Sequence, residues 1–190
     1  MKLSVLICSI PSRLGKLEVL LRELDRQVGL LPPNTVEVLA LTDAKRMILG
    51  DKRNRLVLAA VGDYVVFLDD DDWIAPDYLH HLLKLLEPEP DVATFPVEVT
   101  LDGGPPKLCY YSIHYPDQGE CASHYWRWPN HLCAIRRELV LQYPHPPIGF
   151  GEDTAFAIGI RPALKTELAF TKKPLYYYTF NTSKSAVIKP

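Results

Sequence analysis

The sequence predicts an α/β fold: a single Rossmann-like domain with a mostly parallel central sheet flanked by helices. Three short apolar runs, at 3–10, 36–41 and 64–68, have the length and composition of buried parallel strands. Segments with helical spacing separate these runs. The chain of 190 residues is 47% hydrophobic and 23% charged, which is typical of a globular domain and argues against disorder.

Helices are predicted between and after the three apolar runs. In residues 13–28 the apolar side chains recur at steps of three and four, which indicates an amphipathic helix that Ser12 caps. A second helix is predicted over 52–60, and a third starts at Pro76 and ends near Glu87. Because strands and helices alternate with short connections, we expect a parallel sheet whose strands are joined by right-handed crossovers. The carboxyl ends of its strands then meet at one edge, where such sheets bind ligands.

The second half of the chain has a less regular pattern. We expect a hairpin over 92–112 and an aromatic, loop-rich segment over 114–130. Further short elements are predicted: a strand and a helix within 131–143, a loop entering a helix over 149–160 and a strand within 168–180. Since no linker is long enough to separate two units, the sequence predicts one domain over 1–190.

Four aspartates, Asp69–Asp72, follow the third predicted strand directly. Adjacent carboxylates repel one another unless a cation or water screens them, and a hard divalent cation takes oxygen ligands from such a place. In extended backbone, residues i and i+2 point the same way, so we expect Asp69 and Asp71 to address one ligand. A solvated acidic turn that caps the next helix is the alternative.

A basic stretch precedes the aspartates. Between Lys45 and Arg55 there are five basic residues and one acid, Asp51. Arginine and lysine at a helix start can neutralise a diphosphate, although a solvated helix face is the alternative. Basic and acidic loops at one sheet edge together match a nucleoside diphosphate bridged by a metal ion. The chain has no GxxxxGK[ST] and no GxGxxG motif, which argues against P-loop nucleotidases and dinucleotide enzymes.

These segments, with one further along the chain, resemble a GT-A-fold glycosyltransferase of the family 2 kind. The matching segments are LSVLICSIPSR, the Asp43 loop, GDKRNRLVLAAVGDYVVFLDDDDW and GFGEDTAFA. The resemblance implies a nucleotide-sugar donor, with a UDP-sugar favoured, and a DxD motif that binds Mn²⁺ or Mg²⁺. It also implies an inverting mechanism, a nucleotide-sugar-binding half over 1–90 and an acceptor-binding, catalytic half over 91–190.

The resemblance also implies which residues carry out catalysis, hold the metal ion and bind the donor. Asp153 is the implied general base, next to Glu152 in a Glu-Asp motif. Asp71 is the implied metal ligand, and His131 is the first choice for a further ligand, with His114 and His124 as alternatives. The tetrad permits a shift of one residue, so Asp70 and Asp72 stay candidates for the metal motif. The implied donor-binding residues are Pro11, Arg13, Asp43, Lys52, Arg53, Asp69, Asp70 and Lys184.

The acceptor is the least specific part of the prediction. The segments PNHLCAIRREL and FGEDTAFA are similar to small phage-encoded transferases of this fold, some of which glycosylate hydroxymethylated pyrimidines in DNA. A glycan or lipid-linked acceptor is the competing prediction. Trp126 and Trp128 can stack on a ring and Arg136 can contact a phosphate, so these three are the candidate acceptor-binding residues. The net charge of -2 gives no overall basic field, although it permits a local basic groove.

Two other classes of function stay open: a nucleotidyltransferase on a similar sheet, and a non-catalytic nucleotide-sugar or carbohydrate-binding module. The usual Gly-rich first loop of the nucleotidyltransferases is absent. No apolar run reaches the length of about 18 residues that a membrane span needs, and the four cysteines form no CxxC pair. We therefore expect no membrane insertion and a cytoplasmic location, which is the host cytoplasm if the protein is phage-encoded. The oligomeric state has no sequence signal.

Overall fold

The computed structural model describes residues 1–180. The strands are β1 (Leu3–Ser9), β2 (Val36–Thr42), β3 (Tyr64–Asp69), β4 (Trp73–Ile74), β5 (Val92–Thr94), β6 (Val97–Leu101), β7 (Lys107–Tyr111), β8 (Gly119–Glu120), β9 (His124–Arg127), β10 (Ala134–Arg136), β11 (Glu167–Ala169) and β12 (Tyr176–Phe180). The α-helices are α1 (Leu14–Val28), α2 (Leu49–Ala59), α3 (Tyr78–Leu86), α4 (Arg137–Gln142) and α5 (Glu152–Ile160), and two short 3₁₀ helices cover Pro11–Arg13 and Arg161–Ala163.

The first sheet has six strands in the order β11-β5-β10-β3-β1-β2. Strand β1 pairs in parallel with both β2 and β3, and β10 is antiparallel to its two neighbours. Five strands therefore run in one direction, which confirms the predicted α/β fold with a mostly parallel central sheet. Nearly every residue of β1 and β3 is buried, as their continuous apolar runs require.

A second six-stranded sheet was not predicted. Its order is β4-β12-β6-β7-β9-β8, with parallel and antiparallel pairs mixed. Two of its strands have only two residues, which is too short to leave an alternating pattern in the sequence.

The expected hairpin over 92–112 is wrong in its first strand. Phe95 and Pro96 divide that segment into β5, which joins the first sheet, and β6, which joins the second. Proline has no N–H to donate to a strand ladder, so the chain leaves one sheet there and enters the other. Only β6 and β7 form the hairpin.

The expected cap by Ser12 is also not formed. Ser12 lies inside the first 3₁₀ helix, Arg13 is the residue before α1, and no side chain caps that helix start.

Candidate active site

The carboxyl ends of β1, β2 and β3 meet at one edge of the first sheet, as predicted. Lys52 of α2 holds two of these ends together, because its Nζ donates a hydrogen bond to the Ser9 carbonyl oxygen at 2.8 Å and forms an ion pair with Asp43. The Asp43 carboxylate also accepts hydrogen bonds from the backbone N–H groups of Arg46 and Met47. The basic stretch is thus fixed to the loop that follows β2.

The helix that carries Lys52 is packed closely against a later segment of the chain. Gly50 lies so near Pro146 that a Cβ atom built on it would stand 1.9 Å from the proline carbonyl oxygen. Asn54 exchanges two hydrogen bonds of 2.9 Å with the backbone of His145. Glycine is needed at position 50 because these backbones touch.

The four aspartates have different sets of partners, and Asp70 and Asp71 share one of them, Arg13. Asp70 accepts hydrogen bonds from Ser9 Oγ at 2.6 Å and from Arg13 Nη1 at 2.9 Å. Asp71 faces Arg13 Nη1 at 3.1 Å and Lys16 Nζ at 3.7 Å. Because β3 ends at Asp69 and the chain turns at once, Asp69 and Asp71 are not related by extended backbone, and their contact with one ligand stays a prediction.

Asp72 is buried against the last described strand. It accepts a hydrogen bond of 2.7 Å from Tyr176 Oη and one of 3.3 Å from the Thr179 N–H. The same tyrosine oxygen accepts a hydrogen bond from the Asp69 N–H at 3.0 Å. Burial, together with the charge of Asp69, raises the pKa of Asp72 to about 8, so this carboxyl group is largely protonated at neutral pH.

Arg53 connects the aspartate turn to the later Glu-Asp motif. Its side chain is 2% exposed, and its guanidinium lies 3.3 Å from Asp69 Oδ1 and 3.3 Å from Glu152 Oε1. The guanidinium also stacks over the ring of Phe67, 4.8 Å from the ring centre. Arg53 thus sits beneath the site and bridges two carboxylates from distant parts of the chain.

Asp69 and His131 form a second buried contact. His131 Nε2 is 3.7 Å from Asp69 Oδ2, and neither ring nitrogen has a hydrogen-bond partner within residues 1–180. Burial disfavours the charged form of Asp69, but His131 and the Arg53 guanidinium outweigh it and hold the pKa of Asp69 well below its usual range.

The carboxylate oxygen of Asp69 is a ligand that both Mn²⁺ and Mg²⁺ take, whereas the imidazole nitrogen of His131 suits a transition metal such as Mn²⁺ better than Mg²⁺. In the described part of the chain, however, no three His, Cys, Asp or Glu side chains lie close enough together to hold an ion.

Two pockets meet at Asp69. The edge pocket, of about 420 Å³, lies between the strand ends and the start of α2. Its polar side chains are Ser9, Arg13, Lys45, Lys52, Asp69 and Asp70. The inter-sheet pocket, of about 320 Å³, lies between the second sheet and α5. Its polar and aromatic side chains are Asp69, Tyr111, Gln118, Tyr125, Arg127, Asn130, His131, Asp153, Thr154 and Tyr178.

The start of α5 gives the Glu-Asp motif two different environments. Gly151 has a φ of 76°, a conformation that glycine adopts without strain, and it turns the chain into the helix. Glu152 is buried against Arg53, whereas Asp153 lines the inter-sheet pocket. The Thr154 N–H donates a hydrogen bond of 2.7 Å to Asp153 Oδ1. Asp153 is therefore the member of the pair that can reach a bound molecule.

Several predicted site residues lie elsewhere. Trp126 Nε1 donates to Asp117, Trp128 Nε1 donates to the Tyr115 carbonyl, and neither indole lines the inter-sheet pocket. Arg136 pairs with Tyr64 at the start of β3, five residues or about 16 Å before Asp69, and it contacts the Glu89 carbonyl.

The other donor-binding predictions have mixed outcomes. Pro11 begins the 3₁₀ helix beside the edge pocket, while Arg53 lines neither pocket. Lys184 lies outside the described residues.

The sequence reasoning missed the wall that β9 gives to the inter-sheet pocket. Side chains alternate along this strand, so Tyr125 and Arg127 face the pocket while His124 and Trp126 face away. A period-two pattern over 124–127 is the available signal, although the aromatic, polar composition of 114–130 predicts a loop. In residues 1–180, none of the helices combines the length and apolar character that a membrane crossing requires.

The two sheets, the acidic turn after β3 and the pocket under α5 define a GT-A-type glycosyltransferase fold. In agreement with this, the model of the family described as "Glycosyl transferase family 2" matches residues 36–143. The chain belongs to glycosyl transferase family 2.

Individual relatives cover the chain to different extents. "Putative glycosyltransferase EpsH" of Bacillus subtilis (strain 168) is 32% identical over 72 residues, which are 38% of this chain and 17% of that protein. The crystal structure of S. aureus TarS 1-349 is similar over 94% of this chain and 60% of that one, with 19% identity and a TM-score of 0.73.

TarS 1-349 has also been crystallised with ligands. The complex with UDP gives a TM-score of 0.73 at 19% identity, over 95% of this chain and 61% of that one. The complex with UDP-GlcNAc gives a TM-score of 0.68 at 17% identity, over 95% of this chain and 59% of that one. At this level of identity the likeness shows the fold, and the chain spans less than two thirds of these relatives.

Proposed function

We propose that this chain transfers a sugar from a UDP-sugar to an acceptor hydroxyl, with a divalent metal ion and with inversion at the anomeric carbon. The observation that carries the proposal is the meeting of two pockets at Asp69, with Asp153 on the wall of the inter-sheet pocket. The TarS chain that shares this fold has been crystallised with UDP and with UDP-GlcNAc, which supports a uridine nucleotide as the donor.

The edge pocket is the proposed site for the nucleotide. Its charged groups come from three different strand ends and from α2, and its cations, Arg13, Lys45 and Lys52, suit a diphosphate. Asp43, which Lys52 holds in place, is the proposed contact to the ribose or the base. Arg53 has a different proposed role: it orients Asp69 and Glu152 from beneath, because it reaches neither pocket.

Asp69 and His131 are the proposed first ligands of the metal ion, since one supplies a carboxylate oxygen and the other an imidazole nitrogen without a hydrogen bond, a pair that favours Mn²⁺ over Mg²⁺. Asp71 would complete the set after leaving its ion pairs with Arg13 and Lys16. When bound, the metal ion neutralises charge on the departing diphosphate.

Asp153 is the proposed general base. The acceptor oxygen forms a bond to the anomeric carbon as the bond from that carbon to the diphosphate oxygen breaks, and the hydroxyl proton passes to Asp153. A single displacement of this kind inverts the anomeric centre. Glu152 stays paired with Arg53 and fixes the start of α5, so that the Asp153 carboxylate keeps its position.

The proposed acceptor is a 5-hydroxymethylpyrimidine in DNA. Tyr111, Tyr125 and Tyr178 line the inter-sheet pocket, and aromatic rings of this kind stack on flat bases. Aromatic rings next to the Asp153 carboxylate suit a base that presents a hydroxyl group at its edge.

Calorimetry with UDP-, GDP- and dTDP-sugars, in Mn²⁺ and in chelator, tests the donor site. We expect metal-dependent binding of the UDP-sugar to the wild type and its loss in Asp71→Ala. The absence of donor binding to folded protein would refute the proposal.

Asp153→Asn tests the base. It should bind the donor as the wild type does but transfer the sugar at least about a hundredfold more slowly. Asp25→Asn, a matched change on the exposed side of α1, should leave both the donor affinity and the transfer rate unchanged. Full transfer by Asp153→Asn would show that the base is another group.

A further inference from the structure

A basic and aromatic wall closes one side of the inter-sheet pocket. In the paired strands β7 and β9, Cys109 lies opposite Tyr125 and Tyr111 lies opposite Arg127. Because side chains alternate along a strand, Lys107 is on the same face of β7 as Cys109 and Tyr111, which line the pocket. Tyr125 and Arg127 line the pocket, and Lys107 lies beside them against the Tyr125 ring; we call these three residues the β9 wall.

The two cations of the β9 wall lie against one ring. Lys107 Nζ is 5.2 Å from the centre of the Tyr125 ring, and the Arg127 guanidinium is 5.4 Å from it. Within residues 1–180, neither cation has a carboxylate within 4.0 Å. The cations of the edge of the first sheet differ, because Arg13, Lys52 and Arg53 are each paired with an aspartate. The described residues thus form no ion pair with either cation, although Glu120 of β8 lies opposite Tyr125 on the same face of the sheet.

Arg127 is held in a fixed orientation. Its Nη1 donates hydrogen bonds to the carbonyl oxygens of Gly119 and Trp126, and the first of these ties the side chain to β8. In the described residues its Nε and Nη2 atoms have no such acceptor. A guanidinium fixed by one nitrogen, with two others free, is arranged to receive an oxyanion in the geometry that arginine favours.

The other side of the same pocket has the opposite charge. Asp153 and Thr154 line it from the start of α5, so a bound molecule meets a carboxylate there and cations at the β9 wall. An anionic group would be attracted to the β9 wall and repelled from Asp153. This asymmetry orients a molecule that carries both an anion and a hydroxyl group, with the hydroxyl toward Asp153.

We infer that the β9 wall binds a phosphodiester of the acceptor and thereby places the adjacent hydroxyl at Asp153. This inference rests on the proposed function and deepens it, since it defines the acceptor as a phosphodiester-bearing molecule and Arg127 as its specificity residue.

Binding of small probes to the wild-type protein saturated with UDP and Mg²⁺ tests the inference, because UDP occupies the nucleotide site first. The probes are the thymidine dinucleotide, with one phosphodiester, and neutral thymidine. Glycerophosphoglycerol and glycerol form a second pair without bases. Protein NMR gives the affinities and reports on the Arg127 Nε–H group directly.

We expect each phosphodiester to bind about tenfold more tightly than its neutral partner, with a shift of the Arg127 resonance. Arg127→Gln should abolish that preference and leave UDP affinity unchanged. Arg22→Gln, the same substitution on the exposed face of α1, should retain the preference. A preference confined to the dinucleotide pair would identify nucleic acid as the source of the phosphodiester, and one shared by both pairs would identify the phosphodiester itself as the recognised group.

Equal binding of charged and neutral probes, or an equal loss in Arg127→Gln and Arg22→Gln, would overturn the inference. If Arg127→Gln fails to fold, the wild type still provides a test, since binding of the dinucleotide should weaken between 50 and 200 mM salt while binding of thymidine should not. Salt-independent binding of the dinucleotide would then refute it. UDP affinity, measured separately, reports on the proposed function, so the two proposals can fail independently.

Discussion

Replacement of Arg53 by methionine tests whether the site depends on a buried cation. The change leaves an apolar stem of similar length and removes the only group that touches both Asp69 and Glu152 among the described contacts. Loss of one partner from a buried ion pair costs about 3–5 kcal/mol, mainly because the other charge is left without compensation. The stacking over Phe67 adds about 0.5–2 kcal/mol.

The two carboxylates do not contribute equally to this cost. The side chain of Glu152 is 7% exposed, whereas that of Asp69 is 30% exposed and also faces His131. Water and the imidazole can compensate part of the Asp69 charge, so most of the penalty falls on Glu152. We therefore expect a loss near the lower end of the range, about 3 kcal/mol at pH 7.

Urea unfolding at pH 7 measures the effect. With a slope of about 2 kcal/mol per M, the midpoint should fall by about 1.5 M. Arg55→Met, an exposed change two residues further along α2, should stay within about 0.5 kcal/mol of the wild type. Adding Glu152→Gln to Arg53→Met removes the stranded carboxylate and should restore about half of the loss. A loss below 1 kcal/mol, or a double variant no more stable than the single one, would refute the reasoning.

Two further predictions concern the segment that packs against α2. Burial lowers the pKa of His145, which stacks on Phe156, to about 2, so the unfolded chain binds a proton that the folded one does not. The contribution of the neutral His145 to stability is complete above pH 6.5. It is lost as the pH falls, by up to about 1.4 kcal/mol per pH unit. His145→Phe should therefore flatten the pH dependence of the urea midpoint between pH 6 and 4. If the urea midpoints of the wild type and of His145→Phe fall in parallel over this pH range, the prediction is wrong. Gly50→Ala places a methyl group against the Pro146 backbone and should cost about 1–3 kcal/mol, whereas Gly159→Ala, in open space on α5, should stabilise by about 0.5–1 kcal/mol in thermal melts. Equal melting temperatures for the two variants would show that α2 can move away.

The first half of the fold was predictable because its local signals agree. The apolar runs at β1 and β3 fit only buried strands, and the alternation with helices fixes where their carboxyl ends meet. For the same reason Asp43, Lys52 and Asp69 could be placed at one edge from the sequence. The family could likewise be identified from short segments that are continuous in the sequence.

The parts of the site that could not be predicted depend on contacts between residues that are distant in the sequence. The resemblance implies that both Lys52 and Arg53 contact the nucleotide. Adjacent residues on a helix point about 100° apart, however, and only the packing shows that Lys52 faces the edge pocket while Arg53 faces Asp69 and Glu152. The bond between Asp72 and Tyr176 joins positions 104 residues apart and leaves no local pattern. The turn after Asp69 is set by the end of β3, which an extended-chain argument does not foresee.

The two pockets draw on different stretches of the chain. The edge pocket is built from residues 8–70 and Gly149, while the inter-sheet pocket is built from Asp69 and residues 97–178. Substitutions in β6, β7 and β9 can therefore reshape one pocket while the other keeps its lining. A chain organised in this way can be recombined by exchanging the segment from Val97 to Arg127 between relatives, which would change the inter-sheet pocket and leave the edge pocket as it is.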